Sequence, residues 1–226
     1  MYLRIAALTA LFSTLSLFPC DTFKDTSLPP KDDSSKDKSF LEFKKKLTEA
    51  IRKKDKKFLL DSLDQDVRFT FGDDNGKKNF IQYYELDTKP NHSSVWNILD
   101  KVLKFGSHFS EGRFVFPYFF KTMPPEFDPF TSYMVTGTNV NVRSGPNIDS
   151  PSIAKLSYQV VTIGEYNQDV KEDPKSPQCL WQKVCLADGS TGYICDQYLR
   201  SFLDYRVFFE EKGKKQWKIT ILVVGD

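Results

Sequence analysis

The chain has 226 residues, of which 40% are apolar and 27% charged, with 20 Phe against 10 Tyr and 3 Trp. That length allows one or two domains of about 100–200 residues, and that composition excludes wholesale disorder, collagen and long coiled coils. The 32 basic and 30 acidic side chains leave a net charge of +2, so no global field gathers nucleic acid or anionic lipid, and no nucleic-acid partner is expected.

The N-terminus speaks to the compartment. Met1 to Arg4 bring a positive charge, residues 5–18 are uncharged and mostly apolar, and Asp21 opens a polar stretch, the layout of a signal peptide over residues 1–19. The apolar run is shorter than the roughly 20 residues of a membrane span. Leu17-Phe18-Pro19-Cys20 places Leu three positions before a Cys and resembles a bacterial lipoprotein lipobox of the relaxed, spirochaete-like kind, although Pro19 stands where a small residue is usual. That resemblance implies diacylation of Cys20 and attachment to a membrane of the cell envelope; secretion without lipid and an uncleaved anchor are the alternatives. All three put the folded part outside the cytoplasm. Residues 20–39, rich in Lys, Asp, Ser and Pro, offer almost nothing to bury and are expected to form a disordered, solvated tether.

Phe40, Phe43, Leu47, Ala50 and Ile51 recur at helical spacing, with Ser39 as N-cap and Glu42 completing a capping box. The Lys and Arg between them are interleaved with Glu42, Glu49 and Asp55 and are expected to be a solvated face rather than a basic patch for lipid or glycan. A second helix fits residues 55–63, and Val67, Phe69 and Phe71 then alternate as a strand. The turn Gly72-Asp73-Asp74-Asn75-Gly76 lacks EF-hand spacing, since Phe71 and Gln82 occupy positions where such a loop needs ligands. Two more helices are expected around residues 80–86 and 94–103, followed by an aromatic segment from Phe109 to Phe120 and a Pro-rich linker at 123–129. Because Phe carries no polar handle, those rings are expected to pack a core.

Residues 134–199 read as short strands punctuated by turns, the pattern of a small closed barrel. Asn141-Val142-Arg143-Ser144-Gly145-Pro146, Trp181-Gln182-Lys183-Val184, Asp188-Gly189, Gly192-Tyr193-Ile194 and Tyr198-Leu199 occur in order, and together they closely resemble the bacterial Src-homology-3 (SH3b) domain. The connection from Asn167 to Leu180, carrying Cys179, is longer than that pattern needs. The resemblance implies a recognition module at 133–200 whose partner is a cell-wall peptide or an envelope protein. If Val184 and Ile194 face inward, Trp181, Lys183, Cys185, Tyr193 and Cys195 share the opposite face. Trp181 and Tyr193, with Tyr166 and Tyr198 by analogy, then form an aromatic groove for an extended peptide, with Arg143 or Asn141 as polar contacts. The alternative is that these rings only cover the end of the barrel.

Tyr205, Val207 and Phe209 alternate into a charged turn, and Trp217, Ile219, Ile221 and Val223 alternate out of it, predicting a C-terminal hairpin. It needs a partner sheet. The expectation is a discontinuous α+β domain, residues 40–127 plus 201–226, with the barrel inserted. Its element order weakly resembles the cystatin-like cone of the nuclear transport factor 2 superfamily. Contact between Phe71 and Trp217 distinguishes insertion from a hairpin packed on the barrel.

No motif calls for a metal or cofactor, and no enzyme is expected. His92 and His108 sit in no nucleophile or metal motif, and no carboxylate spacing points to a glycosidase, although a small-molecule or hydrolytic role for the N-terminal domain is the second reading. With lipid on Cys20, at most one disulfide can form among Cys179, Cys185 and Cys195; in a register pairing Val184 with Ile194, Cys185 and Cys195 lie diagonally and Cys179 competes.

Overall fold

The computed structural model describes residues 20–163, 171–213 and 215–226; the expected signal peptide and Tyr166 lie outside the described residues. A 3-10 turn at Asp33–Lys36 leads into α1 (Lys38–Lys53), α2 (Lys56–Ser62), β1 (Leu63–Arg68) and α3 (Lys77–Tyr83). After a second such turn at Pro90–His92 come α4 (Val95–Leu103), β2 (His108–Ser110), β3 (Arg113–Phe116) and α5 (Phe119–Thr122). The chain continues through β4 (Ser132–Val135), β5 (Val140–Arg143), β6 (Ser152–Leu156), β7 (Val160–Thr162), β8 (Lys171–Glu172), β9 (Leu180–Cys185) and β10 (Thr191–Cys195). β11 (Leu199–Ser201), β12 (Arg206–Glu211) and β13 (Trp217–Val223) complete a mixed α+β architecture with two sheets.

Capping fixes where α1 starts. Asp37 rather than Ser39 is its N-cap, because the Asp37 carboxylate accepts from both the Phe40 N–H and the Ser39 hydroxyl. Lys54 ends the helix in the left-handed conformation, and Asp55 caps α2 by accepting from the Phe58 N–H.

The first sheet runs β1-β13-β12-β3-β2, with β1 parallel to β13 and the remaining neighbours antiparallel. Two of its three interior strands, β13 and the central β12, are the last in the sequence, so the C-terminal hairpin is built into the sheet that the N-terminal elements cover. β1 begins and ends earlier than the alternation at Val67–Phe71 suggests. The Asn75 side chain accepts from the Phe69 and Thr70 N–H groups and turns the chain away after Arg68. The contact expected of an inserted barrel, Phe71 against Trp217, is therefore absent: Phe71 lies beside Gly225 and the Arg206 guanidinium, and the Trp217 ring meets Phe40 and Phe114, so what joins the hairpin to the N-terminal elements is the pairing of β13 with β1.

α1 crosses this sheet through Phe40, which stacks on Phe114 with ring centroids 3.7 Å apart and meets Trp217 and Phe209 edge-on at 5.0 and 5.4 Å. Trp217 Nε1 donates to the Ser39 hydroxyl at 2.9 Å, so the indole is buried with its polar atom satisfied. Val95, Leu99 and Val102 of α4 are fully buried in the same core.

The second sheet runs β11-β4-β7-β9-β10-β5-β6, with β8 added to β9. It is open, with β11 and β6 at its edges, and this corrects the expected closed barrel. The chain's own N-terminal segment runs beside residues 158–160, where Leu28 N–H donates to the Tyr158 carbonyl and Val160 N–H donates to the Thr26 carbonyl. β11 and β4 pair directly, Leu199 with Val135 and Ser201 with Tyr133, which sets the two crossings between the sheets side by side.

The expected tether at 20–39 is also corrected. Residues 20–36 form a strap across both sheets. Phe23 and Leu28 pack into an apolar cluster with Phe127, Met134 and Val160, Asp33 accepts from the Phe109 N–H, and Asp32 accepts from Ser34, Ser107 and Lys44. The sequence does not reveal the strap because its apolar anchors are one Phe and one Leu, Phe23 and Leu28, among many charges, with no periodicity. Gly106 and Gly189 both hold positive φ, and a Cβ at either would press on strap backbone at Lys31 or Cys20, so no other residue fits easily at these crossings.

Two outcomes test this fold. Phe40→Ala is expected to cost about 3–5 kcal/mol in denaturant unfolding, the usual range for deleting a fully buried ring. Burial works against ionisation of Asp32, but hydrogen bonds from Lys44, Ser34 and Ser107 prevail and hold its carboxyl at about 2. A carboxyl depressed in the folded state stabilises fully above its ordinary value of about 3.9 and loses that contribution as pH falls towards the folded value. The stability gap between wild type and Asp32→Asn, followed by urea midpoints, is therefore expected to be wide at neutral pH and to shrink between about pH 4 and pH 2.

Candidate functional site: a groove on the second sheet

β9 and β10 form the centre of the second sheet. Their register pairs Val184 with Gly192 and Gln182 with Ile194, two residues away from the pairing the sequence suggested. The fully buried Val184 and Ile194 belong to the inner core with Val135, Val142 and Val161. Gly192 lets β10 approach β5, where a Cβ would collide with Val142 and Ile153. On the other face Trp181, Cys179 and Cys195 form a separate small cluster against which Tyr193 packs.

A groove of about 280 Å³ opens above that cluster. Asn141 and Arg143 reach it from β5, Trp181 from β9, and Tyr198 from the 3-10 turn before β11. Trp181 is the floor rather than an exposed platform: it is only 3% exposed, and the Arg143 guanidinium lies over its ring at 5.8 Å. Its Nε1 is buried with no hydrogen-bond partner among the described residues. Arg143 is held in place by donating to the Ser150 carbonyl at 2.7 Å. Tyr198 and Ile148 are exposed on the rim. Tyr193 pairs with both Arg143 and Lys183 across the sheet and supports the cluster from the side, outside the groove lining.

The structure adds residues that the sequence did not single out. Asn139, Ser176, Gln178 and Gln197 also line the groove. Ser176 and Gln178 lie in the long connection before Leu180, whose excess length was the available signal. That connection is tied down on both sides. Buried Asp173 accepts from the Ile148 N–H at 2.8 Å, and Cys179 is disulfide-bonded to Cys195 with Cα atoms 5.0 Å apart. The disulfide is thus part of the groove wall.

A second disulfide joins Cys20 to Cys185, so all four cysteines are paired. The expectation of at most one bond fails because Cys20 reaches the sheet along the strap, where Phe23 N–H donates to the Ala187 carbonyl. The Cys20 sulfur has one valence to give, so this disulfide and a thioether lipid exclude each other. Disulfides persist in oxidising compartments, which fits an exported protein. No helix among the described residues is long and apolar enough to cross a membrane.

His108 lies half-buried with Nδ1 3.8 Å from the Asp33 carboxylate, and His92 sits in a 3-10 turn; with every cysteine oxidised, neither has a thiol to activate. No group of three or more metal-ligating side chains is found among the described residues.

No family model, curated protein or solved structure matches the chain. The chemistry of the groove therefore carries the functional reading.

Peptide mapping without reductant is expected to recover Cys20 linked to Cys185 and Cys179 linked to Cys195. A palmitate label that Cys20→Ala abolishes would instead assign that sulfur to lipid.

Proposed function

We propose that this is an exported, non-enzymatic binding protein of the cell envelope, in which residues 133–200 act as an SH3-like recognition unit for a cell-wall peptide or an envelope protein. The observation that carries the reading is the convergence of Asn141, Arg143, Trp181 and Tyr198 from separate segments on one groove. Such a concave site, with an apolar floor and a few directed polar groups, is the usual form of a ligand pocket. The ordered SH3b-like motifs over 134–199 support the same class of function.

The pairing of Cys20 with Cys185 favours a secreted protein, or one retained by what the groove binds, over a lipid-anchored one. The rest of the molecule serves as a scaffold in this reading: the interior of the first unit is filled by Phe40, Phe80, Phe114, Phe116 and Phe209, all essentially inaccessible. No cofactor or metal is required.

Retention of the purified mature protein on isolated peptidoglycan tests the proposal. Tyr198→Ala combined with Asn141→Ala changes only exposed side chains, and is expected to weaken retention by about tenfold or more, corresponding to about 1.4 kcal/mol. Equal retention of both proteins would remove the groove from the reading. Retention of neither would remove cell-wall peptide as the ligand class.

A further inference from the structure

The groove has an unusual charge balance. Among the described residues that line it there is one cation, Arg143, and no carboxylate. The neighbouring acids are engaged elsewhere: Asp149 pairs with Lys175, Asp173 accepts from the Ile148 and Lys175 N–H groups, and Asp196 accepts from the Leu180 N–H. No carboxylate pairs with Arg143 among the described residues, and its only hydrogen bond there is to a neutral carbonyl. An arginine fixed over an indole and left without a counter-ion presents donors suited to a carboxylate.

Besides the hydroxyls of Thr138, Ser176 and Tyr198, the remaining polar side chains of the lining are amides. Asn139, Asn141, Gln178 and Gln197 line the groove, and each amide offers both donors and an acceptor. The Asn141 carbonyl accepts from the Ser152 hydroxyl and the Gln197 amide lies against Cys179 Sγ, while no hydrogen bond engages the side chains of Asn139 or Gln178 among the described residues. Peptide groups present the matching alternation of N–H and C=O. The apolar Tyr198 and Ile148 on the rim suit small aliphatic side chains. A volume of about 280 Å³ is at the small end for ligand pockets, enough for a chain end of about two or three residues rather than a long segment.

We propose that the groove binds the free C-terminal end of a short peptide, with the α-carboxylate on the Arg143 guanidinium and the preceding peptide groups on the Asn and Gln amides. This rests on the binding role proposed above and specifies which end of the ligand is read.

The test uses the mature protein with trialanine as the free acid, trialanine amide and glucuronate, followed by calorimetry and by the Trp181 indole resonance. The free acid is expected to bind about tenfold or more tightly than the amide and to shift the indole signal. Arg143→Ala is expected to bring acid and amide to the same affinity, while Arg143→Lys, which keeps the charge, retains part of the preference. Equal binding of acid and amide by the wild type would overturn the carboxylate assignment and leave a peptide groove standing. Glucuronate binding as tightly as the tripeptide acid would overturn the peptide assignment. If no probe binds while peptidoglycan still retains the protein in a Tyr198-dependent way, the chain-end proposal fails and the broader reading survives.

Discussion

The structure depends on the return of the chain's last two strands to the middle of the first sheet. β12 and β13 lie between β1 and β3, so four of the five strands have no complete ladder until the C-terminus arrives. The aromatic faces of the hairpin, Phe209 and Trp217, are also what α1 packs on through Phe40. This pairing forces everything between β3 and β12 to leave and come back at nearly one place. The direct pairing of β4 with β11 meets that demand, since the chain enters the second sheet on β4 and leaves it on the adjacent β11.

The strap is the second device that makes two sheets act as one body. Its outer end is fixed covalently at Cys185 and its inner end by the Asp32 and Asp33 hydrogen bonds to Ser107 and Phe109. A disulfide closing so long a stretch of sequence restricts the unfolded chain strongly, by about 2–5 kcal/mol in typical cases. Charged residues dominate the strap, yet its few apolar side chains find a pocket between the sheets, where Phe23 meets Phe127 edge-on at 5.7 Å. Composition alone misjudges such a segment, because the stabilising surface belongs to the residues it lands on.

The groove follows from the same economy. The inward faces of β9 and β10 are spent on the core, and the outward residues Trp181 and Cys195 need cover. The long connection carrying Ser176, Gln178 and Cys179 supplies it, held by the second disulfide and by Asp173. Cover on one side and the β5 strand on the other leave a slot, with Arg143 lying over the indole as the single cation among its described lining residues.

The sequence by itself determined the element types from α1 to α4, the hairpin, and the alternation that separates Val184 and Ile194 from Trp181 and Tyr193, because those depend on periodicity and capping within a few residues; the aromatic segment that forms β2, β3 and α5 carried no such period. It also brought Asn141, Arg143, Trp181 and Tyr198 to attention through ordered local motifs. Only the tertiary structure decided that Trp181 is a covered floor, that the second sheet stays open, that the strap is packed, and that Cys20 joins Cys185 while Cys179 joins Cys195. The β9–β10 register places Thr191 rather than Tyr193 opposite Cys185, with Gly192 at the point where β10 closely approaches Val142 of β5. Each of these outcomes depends on contacts between residues far apart in the chain, and neither spacing nor propensity encodes which distant surface a segment will meet.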